Sequence, residues 1–163
     1  MKSERKVRLA IEKYSDTIRR ICFIHLKNYH DSEDVFQDVF LKYVLSEVEF
    51  ENAEHEKAWL IRVTINACKD TVKSFFRKKV ISIDDIIDNG ILEFHAEENN
   101  KEILKAVFEL PPKYRDIIYL FYYEGYTAVE IAKILNKNEN TIYTWLSRAR
   151  QKLKERLDGD IFE

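Results

Sequence analysis

The sequence predicts an all-α protein built as two small helical domains joined by a linker. Three observations carry this. Gly (3) and Pro (2) are scarce in 163 residues, so few backbone breakers interrupt a chain rich in Leu, Ile, Lys and Glu. Apolar residues recur at helical spacing along most of the chain. The period then fails over residues 79–96, which carry the turn signal Asn89-Gly90 between two periodic halves. Hydrophobic residues make up 45% and charged residues 34%, the balance of a soluble globular chain. The length suffices for one ordinary domain or two small ones.

A first helix is predicted over about 4–28, from Val7, Ile11, Tyr14, Ile18 and Ile21. Asp31 is the candidate N-cap of a second, about 32–46, with Glu33 and Asp34 in its first turn. A long helix follows over about 56–78. The first domain is thus placed at 1–80, an acidic linker at 81–98 and the second domain at 99–163. A helix over about 99–109 leads to Leu110-Pro111-Pro112, and Pro112 starts a helix that ends before Gly125. Thr127-Ala128-Val129-Glu130 is a capping box. It opens a short helix that stops at Asn136, a residue that tolerates the left-handed conformation. Asn138 then caps the last helix, about 139–157.

Several function classes are disfavoured. The longest apolar run, Ile117 to Tyr123, is far too short to span a bilayer. The charged N-terminus leads into no apolar signal region, so no membrane insertion and a cytoplasmic location are expected. Cys22 and Cys68 read as two small buried or half-buried thiols. His25, His30, His55 and His95 form no ligand-spacing motif, and no phosphate loop or nucleophile motif is present. The expectation is a protein that is not an enzyme and takes no metal or cofactor.

Charge points elsewhere. The whole chain carries −2, but residues 81–105 carry seven acids and two bases, and residues 141–157 five bases and one acid. That local basic charge favours a nucleic-acid partner. It falls on the second helix of a predicted helix-turn-helix, Thr127–Leu135 followed by Glu139–Leu157. Ala132 is small where the two helices would cross. Ile142, Leu146, Ala149, Leu153 and Leu157 make one apolar stripe. The other faces present Asn140, Thr141, Tyr143, Thr144, Ser147, Arg148 and Arg150. Polar groups early in such a helix reach base edges, and bases further along suit the DNA backbone.

The helix over 56–78 has a similar division. Leu60, Val63, Thr64, Ala67 and Thr71 fall on one side; Arg62, Asn66, Lys69, Lys73 and Arg77 cluster opposite. Four bases and an amide suit a DNA backbone track; they would equally serve as the solvated face of a core helix. Trp59, Phe75 and Phe76 fit either stacking on unpaired bases or a core. The second helix presents Asp34, Gln37, Asp38 and Lys42 beside an apolar face. Acids repel DNA, so this surface suits a protein partner or a solvated rim.

Three segments together resemble the extracytoplasmic-function group of bacterial sigma factors. Asp31-Ser32-Glu33-Asp34-Val35-Phe36-Gln37-Asp38-Val39-Phe40-Leu41-Lys42 is similar to the family's polymerase-binding helix. Lys57-Ala58-Trp59-Leu60-Ile61-Arg62-Val63-Thr64-Ile65-Asn66-Ala67-Cys68-Lys69-Asp70 is similar to the helix that reads the minus-ten element. Leu110-Pro111-Pro112-Lys113-Tyr114-Arg115 with Leu146-Ser147-Arg148-Ala149-Arg150-Gln151-Lys152-Leu153 is similar to the domain that reads the minus-thirty-five element. The resemblance implies a region-two helical bundle and a region-four helix-turn-helix. It implies core RNA polymerase as a partner, through the clamp of the beta-prime subunit and the flap of the beta subunit, with Asp34, Gln37 and Asp38 at the clamp. It implies promoter DNA as the second partner. Many relatives are held inactive by an anti-sigma factor, and that partner is a family expectation. Asn136 stands where the family turn commonly has Gly; Tyr143 and Trp145 stand where relatives often carry Lys or Arg. The competing reading is a stand-alone helix-turn-helix regulator with an N-terminal sensing or dimerisation domain.

Overall fold

The computed structural model describes the backbone of residues 1–74 and 98–157, and the side chains of 1–72 and 102–157. Every regular element among the described residues is helical. The chain divides into two compact units, residues 1–80 and 81–163.

The first unit is a three-helix bundle. Helix α1, Glu4–Leu26, is capped by Ser3, whose Oγ accepts from the Lys6 amide at 3.3 Å. It buries Ala10, Tyr14, Ile18, Ile21 and Cys22, one stripe at helical spacing. It ends at Lys27, held left-handed at φ 54°. Helix α2, Tyr29–Leu45, begins earlier than Asp31 would set it. Asn28 is the cap: its Oδ1 accepts from the Asp31 amide at 3.0 Å. The left-handed Lys27 reverses the chain at once, so the extended cap position falls on Asn28, and Asp31 sits in the first turn where its charge suits the helix dipole.

Helix α3, Ala53–Ser74, also starts earlier than its periodicity indicates. Asn52 Oδ1 accepts from the His55 amide at 2.8 Å. Tyr14, Ile18, Val35, Val39, Tyr43, Leu60 and Cys68 meet in the core of this bundle. A fully buried Leu or Ile of this kind contributes about 1.5–3 kcal/mol. Arg19 ties α1 to α2: it pairs with Glu33 at 3.3 Å and lies 4.0 Å over the Phe36 ring. Trp59 is half-buried against Tyr43 and Phe50, with centroids 6.2 and 5.6 Å away. Its ring belongs to the core margin. Phe75 and Phe76 lie outside the described residues, as do the candidate linker up to residue 97 and the chain beyond 157.

In the second unit, helix α4, Glu98–Phe108, is followed by α5, Pro112–Ile118, with Pro at its start as predicted. Arg115 is buried between them. Its Nη1 donates to the Leu110 carbonyl at 2.5 Å and the Phe108 carbonyl at 3.5 Å, at and just beyond the end of α4. Burial lowers its pKa from the usual arginine range, and adjacent Asp116 opposes the shift.

The segment expected to continue as one α-helix to Gly125 instead widens. Tyr119–Tyr123 is a π turn, closed by the Glu124 amide on the Tyr119 carbonyl at 3.1 Å. Gly125 then turns the chain at φ 78°. Helix α6, Ala128–Leu135, and helix α7, Glu139–Arg156, complete the unit. No helix among the described residues is long and apolar enough to cross a membrane.

Candidate nucleic-acid interface

The most completely built surface is the outward face of α7, and it begins with the cap of α6. Thr127 Oγ1 accepts from the Glu130 amide at 3.1 Å, and Glu130 Oε1 accepts from the Thr127 amide at 3.0 Å. The Thr127 backbone first, and then its side chain, hold the Glu130 carboxyl below its ordinary range. The box fixes where α6 starts. Asn136, left-handed at φ 53°, fixes where it stops, and the Lys137 amide closes the turn on the Ala132 carbonyl at 2.9 Å. Asn138 Oδ1 then accepts from the Asn140 amide at 2.8 Å and starts α7.

This tight turn sets the angle at which α7 lies on α5 and α6. Ile142, Leu146, Ala149 and Leu153 are buried, and Ala132 is buried on α6. Asn140, Tyr143, Thr144, Ser147 and Arg148 are exposed, and Thr141 is half-buried. The first two turns of the outward face are therefore uncharged apart from Glu139, and Arg148 is the first cation.

Arg150 and Trp145 occupy opposite flanks of α7, about 140° apart at ~100° per residue. Neither hangs loose. The Arg150 Nε donates to the Tyr122 hydroxyl at 2.7 Å, and its guanidinium lies 5.2 Å from the Phe121 centroid and 5.7 Å from that of Tyr122. On the other flank the Lys113 ammonium lies 5.1 Å from the Trp145 ring and 5.2 Å from the Tyr114 ring. Cations over aromatic faces are held without losing their charge. Sequence reasoning named Arg150 but missed Lys113 and the Tyr122 clamp, since no periodicity links residues so far apart. The exposed aromatics Tyr122 and Tyr123, beside a basic helix, were the available signal.

On α3, Arg62 and Asn66 are exposed and Lys69 is half-buried. Leu60, Ile61, Thr64, Ile65 and Cys68 are buried on the other side. Lys73 continues the stripe by helical register, with its side chain outside the described set, and Arg77 lies outside the described residues altogether. Asp70 is exposed beside the stripe and reduces its net charge.

On α2, Asp34, Gln37 and Asp38 are exposed together. Leu41 and Leu45 continue the same stripe and are 57% and 60% exposed, so the acidic surface has an apolar end. At the far side of the bundle the Tyr43 hydroxyl donates to Glu56 at 2.7 Å. Burial first, then that carboxylate, raises the Tyr43 pKa well above the usual tyrosine range.

Comparisons with known proteins address the whole chain. Residues 10–80 match the family described as Sigma-70 region 2, and residues 100–153 match Sigma-70, region 4. The ECF RNA polymerase sigma factor SigM of Bacillus subtilis (strain 168) is 30% identical over 148 residues, covering 86% of this chain and 88% of its own. SigW, an ECF RNA polymerase sigma factor of the same organism, is 27% identical over 161 residues, covering 90% and 86%. Among solved structures, the sigma factor RpoE in complex with the anti-sigma factor NepR from Bartonella quintana shares the fold, with a TM-score of 0.72 at 20% identity over 96% of this chain and 99% of that one. CnrH in complex with the cytosolic domain of CnrY gives 0.66 at 18%, over 97% and 91%. The two matches fall in order on the three-helix bundle and on the unit that holds the capped helix-turn-helix, and with them the chain belongs to the extracytoplasmic-function sigma factors of the sigma-70 family.

Proposed function

We propose that this sigma factor divides promoter recognition between its two units, the first acting at the minus-ten element and the second at the minus-thirty-five element. As a member of its family the chain works with core RNA polymerase and directs transcription initiation at promoters. The match of residues 10–80 to region 2 decides against a stand-alone regulator with a sensing domain there.

The observation that carries the division is the presentation of α7. A short, doubly capped α6 holds it by one apolar stripe, with Asn140, Tyr143, Thr144 and Arg148 outward. A helix so mounted fits the major groove. In this reading Asn140, Thr141, Tyr143 and Thr144 face base edges, and Arg148 and Arg150 meet phosphates.

The stripe Arg62, Asn66, Lys69, Lys73 and Arg77 tracks the strand opened in the first unit. Its support is the exposure of Arg62 and Asn66 on one face of α3. Asp34, Gln37 and Asp38 dock the beta-prime clamp, supported by their shared exposure on α2; the flap of the beta subunit engages the second unit. An anti-sigma factor is a third partner in this reading; the RpoE chain of like fold is seen with one. The chain performs no bond-making chemistry of its own and works in the cytoplasm, beside the DNA.

Run-off transcription tests the whole. Added to core polymerase, the protein should start transcription at promoters that core alone ignores. Silence of the folded protein across a genome-wide template set would overturn the assignment.

A further inference from the structure

The first two turns of α7 have an unusual chemistry for a helix presented to DNA. Their outward side chains are Glu139, Asn140, Tyr143 and Thr144, with Thr141 half-buried beside them. None is a lysine or an arginine. Trp145, the next candidate, is turned to the flank and covered by Lys113. Arg148 lies in the third turn, where contacts run to the backbone.

This set has a definite complement among the bases. Guanine shows O6 and N7 in the major groove, two acceptors that call for a two-pronged cation, and these turns hold none. Adenine shows an acceptor and an amino donor, which the Asn140 carboxamide matches with its own donor and acceptor. Glu139 can only accept, so the exposed amino group of cytosine or of adenine suits it and a phosphate does not. Thymine shows a methyl group beside O4. Tyr143 is 54% exposed on this face, and a ring with a hydroxyl at its tip offers an apolar surface to the methyl and a donor to O4. The Thr144 methyl adds to that surface.

We propose that Tyr143 is the residue of the second unit that selects thymine at one base pair of its element. This rests on the assignment of α7 to the upstream duplex element and deepens it. A large, rigid side chain with few torsions loses little freedom on contact, so selection by Tyr143 is compatible with its standing open to solvent in the free protein.

The test uses the full chain with core polymerase on a promoter library whose upstream duplex element is randomised, with transcripts counted by sequence. The wild type should favour thymine at one position by about fivefold, the low end for one mismatched base pair. Tyr143→Phe should keep that preference in part, because the ring remains. Tyr143→Ala should lose it at that position alone, and Tyr143→Arg should move it to guanine there. Two results overturn the inference. One is a guanine preference in the wild type that no Tyr143 substitution alters. The other is a uniform loss across all sequences in Tyr143→Ala, the mark of a phosphate contact. Transcription that ignores the upstream element entirely would overturn the assignment of α7 as well, and so separates the two failures.

Discussion

The Arg150 Nε donates to the Tyr122 hydroxyl at 2.7 Å, joining residues 28 apart in sequence and placing a charged fork at the edge of α7. A guanidinium already oriented loses less freedom when it meets a phosphate than one on a free stem. Arg150→Ala should weaken duplex binding and reduce the slope of log affinity against log salt by about 0.9, the value for one phosphate. Tyr122→Phe keeps the rings and removes the hydrogen bond. It should leave the slope unchanged and lower affinity by less than about tenfold, within the ~0.5–1.5 kcal/mol of one hydrogen bond. Filter binding of the holoenzyme over a salt series measures both.

The α3 stripe predicts a different defect. Arg62→Glu with Lys69→Glu reverses two charges on the face that Arg62 and Asn66 expose. Promoter opening, read as permanganate reactivity of unpaired thymines, should slow by at least about tenfold, with core binding unchanged. An unaltered opening rate would remove the assigned role of this stripe.

Docking to polymerase should depend on α2. Asp34→Lys with Asp38→Lys is expected to abolish co-purification with core at moderate salt, because a desolvated charge pair turned repulsive costs several kcal/mol. Leu41→Ser, at the apolar end of the same stripe, should weaken it as well and do so independently of salt, since the burial of an apolar group is not screened.

Acid should act on the capping box. The folded-state pKa of Glu130 is depressed, so its contribution to stability is complete above its ordinary value of 4.5 and is lost as pH falls through the lower, folded value. Glu130→Gln should therefore be less stable than the wild type at neutral pH, and the difference should close below pH 4.5. Thr127→Ala should cost about 1 kcal/mol at neutral pH. Urea titrations followed by circular dichroism report both.

Arg115 makes a prediction about folding alone. Arg115→Met removes the buried donor to the Leu110 carbonyl and should cost about 1–3 kcal/mol. Arg115→Lys should recover part of the loss, because both bonds come from the one Nη1 and an ammonium is also a donor.

Legibility in the sequence depends on how local each determinant is. Thr127 and Glu130 lie three residues apart and cap each other, so their box is visible in the sequence and present in the structure. Asn136 and Asn138 act within two residues of themselves, and both stand as predicted. The start of α2 was misplaced because Asn28 and Asp31 are both good caps. The choice between them was made by Lys27 turning left-handed, which no propensity marks in a lysine. Trp59 was ambiguous for a related reason: its partners Tyr43 and Phe50 lie on other segments. The exposed stripes on α2, α3 and α7 were legible as faces, whereas the holding of Arg150 by Tyr122 and of Lys113 over Trp145 needs tertiary geometry.

The π turn at Tyr119–Tyr123 has a consequence of another kind. A π turn holds one residue more than an α turn, and each residue rotates the next by about 100° round the axis. Removing a single residue there would restore the ordinary winding and swing the Tyr122 ring away from Arg150. The contact is thus encoded in how many residues the turn contains as much as in which ones. Scanning by substitution would find Tyr122 and miss the turn that aims it; divergence in this part of the molecule would be written in gaps.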